Sequence, residues 1–71
     1  MSESFRISLK AARVNAGKTM DETCAAVNVS KTTLSNWENG ITVPSADKAA
    51  ELADYYGVRL EHINFCRKNQ V

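Results

Sequence analysis

Apolar residues recur at helical spacing along this chain, and the stretches are punctuated by residues that stop helices. Phe5, Leu9, Ala12 and Ala16 precede Gly17, which predicts a first helix ended by that glycine. Thr19 to Val27 predicts a second helix, from about residue 20 to 27. Thr19 is its N-cap, and Glu22 three positions later completes a capping box. Asp21 and Glu22 also place negative charge at the positive end of the helix dipole. Asn28-Val29-Ser30 is a tight turn in which Asn tolerates the left-handed conformation. Ser30 then caps a third helix, from about 31 to 39, with Gly40 just past its end. Ile41-Thr42-Val43 is an extended connector, because the residue before Pro44 is biased away from helix. Ser45 caps a fourth helix with Ala49, Leu52, Ala53 and Tyr56 at core spacing, ended by Gly57. A last short helix, from about 60 to 66, contributes Leu60, Ile63 and Phe65. The expected fold is all-α, a compact five-helix bundle, with one domain over 1–71, a core from about 5 to 66 and short tails.

The third helix has two unlike faces. At about 100° per residue, Lys31, Thr32, Ser35, Asn36 and Asn39 share an arc of about 140°. Thr33, Leu34, Trp37 and Glu38 share the opposite one. A face that only meets water is usually rich in Glu and Lys. This one is rich in short amides and hydroxyls, which can read base edges in a DNA major groove. A helix, a short turn and a second helix with a polar outer face is the helix-turn-helix pattern.

Here the sequence resembles the Cro/C1-type (XRE-like) helix-turn-helix repressors of phages and mobile elements. The resemblance spans roughly Leu9 to Ile63 with no insertion through the motif. It is carried by Arg13, Thr19, Glu22, Cys24 where the family usually has Ala, Val29-Ser30, Thr33-Leu34-Ser35, Trp37-Glu38-Asn39-Gly40, Pro44-Ser45, Leu52-Ala53 and Gly57-Val58. Two positions depart from it. Met20 stands where lambdoid repressors often carry a Gln that contacts DNA, and Thr23 where many members have Leu or Val. The resemblance implies a lambda-repressor-like DNA-binding domain. It also implies a structural ion pair between Glu38 and Arg13, since a buried carboxylate is costly unless paired and a fork-shaped guanidinium suits it. Trp37 is read as core filling rather than as a base-stacking ring.

Charge adds a complication. Nine basic and eight acidic residues give +1, far from the strongly basic balance of many DNA-binding domains. Residues 1–40 carry five basic and four acidic groups, and residues 41–71 four of each. Phosphate contacts are therefore expected largely from N–H groups, hydroxyls and amides. A chain of 71 residues buries only about 60% of its unfolded surface, so the core is modest. No apolar run nears the roughly 20 residues that span a bilayer. No secretory signal is visible at Met1-Ser2-Glu3-Ser4-Phe5, and a cytoplasmic location is expected. Cys24 and Cys66, 42 positions apart, form no zinc signature and are expected as free thiols. His62, the only histidine, has no nucleophile arranged beside it, and three isolated glycines form no phosphate loop. No enzyme activity, metal, cofactor or small-molecule ligand is expected.

The reading is a sequence-specific DNA-binding transcriptional regulator, a small repressor acting as a dimer on an operator with the third helix in the major groove. Lys31, Thr32 and Asn36, then Ser35, are the candidate base contacts: Lys31 for guanine O6/N7, Asn36 for adenine, Thr32 for thymine. Thr19, Ser30, Thr33, Asn39 and Thr42 match family positions that hold the sugar–phosphate backbone. Val58, Leu60, Phe65 and Tyr55, which is expected to be exposed, are the apolar candidates for a dimer contact. Because the chain ends soon after the helices, it resembles stand-alone members such as small phage repressors, restriction-modification controllers or antitoxins. The alternative is a protein-interaction module, antitoxin-like or partner-binding, that keeps the fold without strong DNA binding; the +1 charge and Met20 favour it.

Overall fold

In the computed structural model, which describes residues 6–65, four helices pack around Leu34 and Leu52, both wholly buried. The helices are α1 (Leu9–Asn15), α2 (Met20–Val27), α3 (Lys31–Glu38) and α4 (Ala46–Tyr56). A two-residue strand, β1 (Ile7–Ser8), precedes them. A 3₁₀ turn at Leu60–His62 and a second short strand, β2 (Ile63–Asn64), follow. Helix α2 packs on both α3 and α4, and α1 packs on α3 and β2.

Each helix starts at a hydroxyl. Ser8, Thr19, Ser30 and Ser45 accept from the backbone N–H three residues on. Thr19 and Glu22 form the full capping box, with Thr19 N–H donating to Glu22 Oε1 at 2.9 Å. The helices also end alike. At the end of α3 the Gly40 N–H donates to Trp37 O and the Ile41 N–H to Asn36 O, which requires a residue in the left-handed region. Gly40 has φ +75° there. Asn28 takes the same role after α2 at φ +59°, the one position where a side chain is accepted in that conformation among the described residues.

Two expectations are corrected. The first helix begins at Leu9, capped by Ser8, and Ile7–Ser8, expected within it, is extended. The fifth helix from 60 to 66 is absent among the described residues, so four helices replace the expected five. Ile7 pairs with Ile63 and Ser8 with Asn64 in a parallel register. The physical reason is side-chain period. Ile63-Asn64-Phe65 alternates inward, outward, inward, with Ile63 buried and Phe65 packed on the core. A two-residue period is that of a strand, and β-branched isoleucines suit it. Phe5 and Cys66 lie outside the described residues. No helix among those described is long and apolar enough to cross a membrane.

The departures at Met20 and Thr23 have local explanations. Thr23 is fully buried, yet its hydroxyl donates to Thr19 O at 2.9 Å, the turn-back bond that lets a threonine replace an aliphatic residue inside a helix. Met20 is half-buried and lies against the core rather than on the surface. Lys48 of α4 reaches across to α2, and its Nζ donates to Val27 O at 2.6 Å. That places a cation on a free carbonyl at the negative end of α2.

Candidate nucleic-acid interface

The turn Asn28-Val29-Ser30 sets the angle at which α3 leaves α2, and α3 is held in place from behind. Leu34 is its fully buried anchor. Arg13 of α1 braces its C-terminal end. Arg13 Nε donates to Glu38 Oε2 at 2.7 Å, Nη2 to Glu38 Oε1 at 3.4 Å, and Nη1 to Lys18 O at 3.0 Å. The side chains are 12% and 7% exposed. A two-pronged guanidinium–carboxylate contact of this kind fixes orientation as well as charge. The hydrogen bond to Glu38, above all, holds the Arg13 guanidinium above its ordinary pKa. Close by, the Tyr56 hydroxyl is buried without a hydrogen-bond partner among the described residues. Desolvation by burial pushes its pKa up.

The opposite side of α3 carries the polar arc. Lys31, Thr32 and Asn39 are exposed, and Ser35 and Asn36 are half-buried, so the five do not project equally. Hydrogen bonds decide what each hydroxyl has left to offer. Ser30 Oγ accepts from Thr33 N–H at 3.1 Å and donates to Thr33 Oγ1 at 2.9 Å. Its proton is used internally, and the free donor of the pair is the Thr33 hydroxyl, polarised by the bond it accepts. Asn39 Nδ2 donates to Ser35 Oγ at 3.2 Å, which leaves the Ser35 O–H available and ties the Asn39 amide back to the helix. Thr19 Oγ1 accepts from Glu22 N–H at 3.0 Å, so its own proton is free. Thr42 is exposed on the connector after α3.

Two features of this face were not anticipated from sequence. Asp21, read only as a dipole partner of α2, lies 3.3 Å from Lys31 Nζ across the motif. Ten positions separate them, and only the packing of α2 on α3 brings them together. Ile41 and Val43, in the connector at the C-terminal end of α3, are exposed apolar residues, as is Val14 on α1.

The four apolar residues singled out for a dimer contact separate. Leu60 is 44% exposed. Val58 and Phe65 pack against the core. Tyr55, expected to be exposed, is corrected to half-buried: it also packs against the core, and the Lys18 ammonium sits 5.0 Å from its ring centroid. Aromatic rings attract cations this way, and the lysine covers a face that would otherwise meet water.

No curated protein and no solved structure matches the chain. The helix-turn-helix family matches residues 9–63, from the start of α1 through both motif helices to β2. The match covers most of the chain and includes the turn, the brace and the caps of α2, α3 and α4, so this chain belongs to the Cro/C1-type helix-turn-helix family, a family of DNA-binding transcription regulators and not of catalysts.

Proposed function

We propose that the protein is a sequence-specific repressor of the small type found in phages and mobile elements, acting in the cytoplasm as a dimer with one α3 in each major groove. The observation that carries this reading is the division of α3 into a braced inner face and an outer arc of amides, hydroxyls and one ammonium. Lys31, Thr32 and Asn36, with Ser35, read base edges, and the half-buried setting of Asn36 limits it to close approach. Thr33, with the free proton of the Ser30–Thr33 pair, and Thr19 donate to phosphates on either side. Asn39 and Thr42 complete the backbone contacts at the far end of α3. One recognition helix touches too few base pairs to discriminate well, and two placed about 34 Å apart on one face of the duplex solve this. Leu60 is the outward apolar residue from which that contact is built.

Selection of bound sequences from a random duplex pool, combined with sedimentation, tests the reading. An inverted repeat bound by two copies is expected. A single half-site bound at full affinity by one copy would overturn the dimer but not the DNA binding. A second reading, a protein-interaction module, is favoured by the +1 charge and by the inward turn of Met20. A salt titration on random duplex separates the two. Binding that weakens steeply with salt marks a phosphate-contacting surface, and no binding at low salt favours the module.

A further inference from the structure

The Asp21–Lys31 pair is exposed, at 78% and 65% of each side chain, and it bridges the two motif helices on the outer face. Lys31 is the first residue of α3, where the positive end of the helix dipole disfavours a cation, and α3 has no acidic residue in its first turn. Asp21, in the first turn of α2, supplies the missing negative charge. A carboxylate on a surface that approaches phosphates weakens every sequence-independent contact that surface makes. Such a group is useful on a reading face only where the DNA offers it a donor.

The major-groove edge of a G·C pair does so. Guanine presents the N7 and O6 acceptors, and the N4 amino donor of cytosine lies directly beside O6. An ammonium and a carboxylate held side by side complement that order of groups. The ammonium takes both guanine acceptors, and the carboxylate accepts from cytosine N4–H. An A·T pair places a donor next to a single acceptor at N7, so Lys31 would lose one of its two partners there.

We propose that Asp21 and Lys31 act as one composite reader of a G·C base pair, with Asp21 a specificity-determining residue that lowers affinity for random DNA and raises choice at that pair. The inference rests on the DNA-binding reading above. In the free protein the carboxylate holds the ammonium in place on α3; on the operator both groups keep each other and gain the base pair.

Selection from a random duplex pool with wild type, Asp21→Ala, Lys31→Ala and the double variant is the test, with thermal melts to verify folding. Asp21→Ser serves as a second neutral variant. Wild type is expected to select G·C at one position of each half-site. Asp21→Ala should bind random duplex severalfold more tightly at low salt. It should lose about tenfold of its preference at that one position and keep the others. Lys31→Ala should relax the same position, and the double variant should relax it no further. Asp21→Ala and Asp21→Ser selecting the wild-type sites unchanged, the two single variants relaxing different positions, or a selected A·T there would each overturn the composite reader and leave DNA binding intact. Wild type that binds no duplex at low salt would overturn the DNA-binding reading, and this inference with it.

Discussion

Both ends of α3 are tied to the rest of the molecule by an acid–base pair, and the two pairs do opposite things. At the C-terminal end Arg13 and Glu38 meet at 2.7 Å, almost out of reach of water. At the N-terminal end Lys31 and Asp21 meet at 3.3 Å, largely in it. The chemistry is the same, and burial decides the role. A buried charge stripped of its partner is stranded in a medium that cannot solvate it. An exposed charge stripped of its partner turns to water and loses little. The buried pair is thus a brace that sets where α3 lies, and the exposed pair leaves both of its charges accessible from solvent. One end of the helix is fixed by its pair, and the other presents its pair to solvent.

The sharpest way to break that contrast is Arg13→Ala. It leaves Glu38 buried and unpaired and also removes the donor to Lys18 O. A loss of about 3–5 kcal/mol is expected, a large share of the stability of a domain this size. The melting temperature should fall by more than about 10 °C. Replacing both partners, as in Arg13→Met with Glu38→Leu, should be milder because no charge is stranded. A single variant that melts within a degree or two of wild type would show that water reaches Glu38.

The outer arc should respond the other way round. Asn36→Ala is expected to cost about 1–3 kcal/mol of binding at the preferred site, read by titration of labelled duplex. Its effect on folding should stay under about 0.5 kcal/mol. Ser30 lies between the two regimes. Its hydroxyl caps α3 and also orients the Thr33 hydroxyl, so Ser30→Ala should cost about 1 kcal/mol of stability by denaturant titration. Its affinity should fall evenly across sequences, since a phosphate contact and not a base contact is disturbed. A Ser30→Ala protein that relaxes one base position would move Ser30 into the reading set.

The caps show why so much of the fold is legible in the sequence. Thr19, Ser30, Ser45, Asn28 and Gly57 each act through backbone groups within a few residues, so local sequence is enough to place them. The closure of the chain ends is not local. Ile7 and Ile63 pair across 56 positions, and their segments carry two conflicting periods. Phe5, Leu9 and Ala12 fit a helix, whereas Phe5, Ile7 and Leu9 alternate like a strand. The alternation of Ile63-Asn64-Phe65 was the available signal for the second strand. The same limit applies to the site. The polar arc of α3 follows from residue spacing on a single helix. The approach of Asp21 to Lys31 depends on the crossing of α2 and α3, and no pattern within either helix encodes it. Tyr55 misled for a related reason: the lysine that covers it comes from the loop between α1 and α2.

The smallest expected effect separates the two ends by solution conditions rather than by mutation of the pairs. The inner side of the motif holds Cys24, buried against the core. Burial first, and then the charge of Asp21, push its thiol pKa up from the ordinary value. A raised value in the fold means that the unfolded chain releases its proton first. The stability contributed by the neutral thiol is therefore complete below about pH 9 and is lost as pH climbs through the folded value. Tyr56 has the same sign but starts only above about pH 10, so the window between about pH 9 and pH 10 isolates the thiol. Denaturant titrations of wild type and Cys24→Ala across that window should show wild type losing stability the faster. Parallel curves would mean that water reaches the thiol in the fold. Added salt should leave this slope and the Arg13–Glu38 brace nearly untouched. It should screen the Asp21–Lys31 pair, because charges in water fade over about 10 Å at 0.1 M salt while buried ones are shielded far less. A brace that weakened with salt as readily as the outer pair would mean that the two ends of α3 differ in position only, and not in kind.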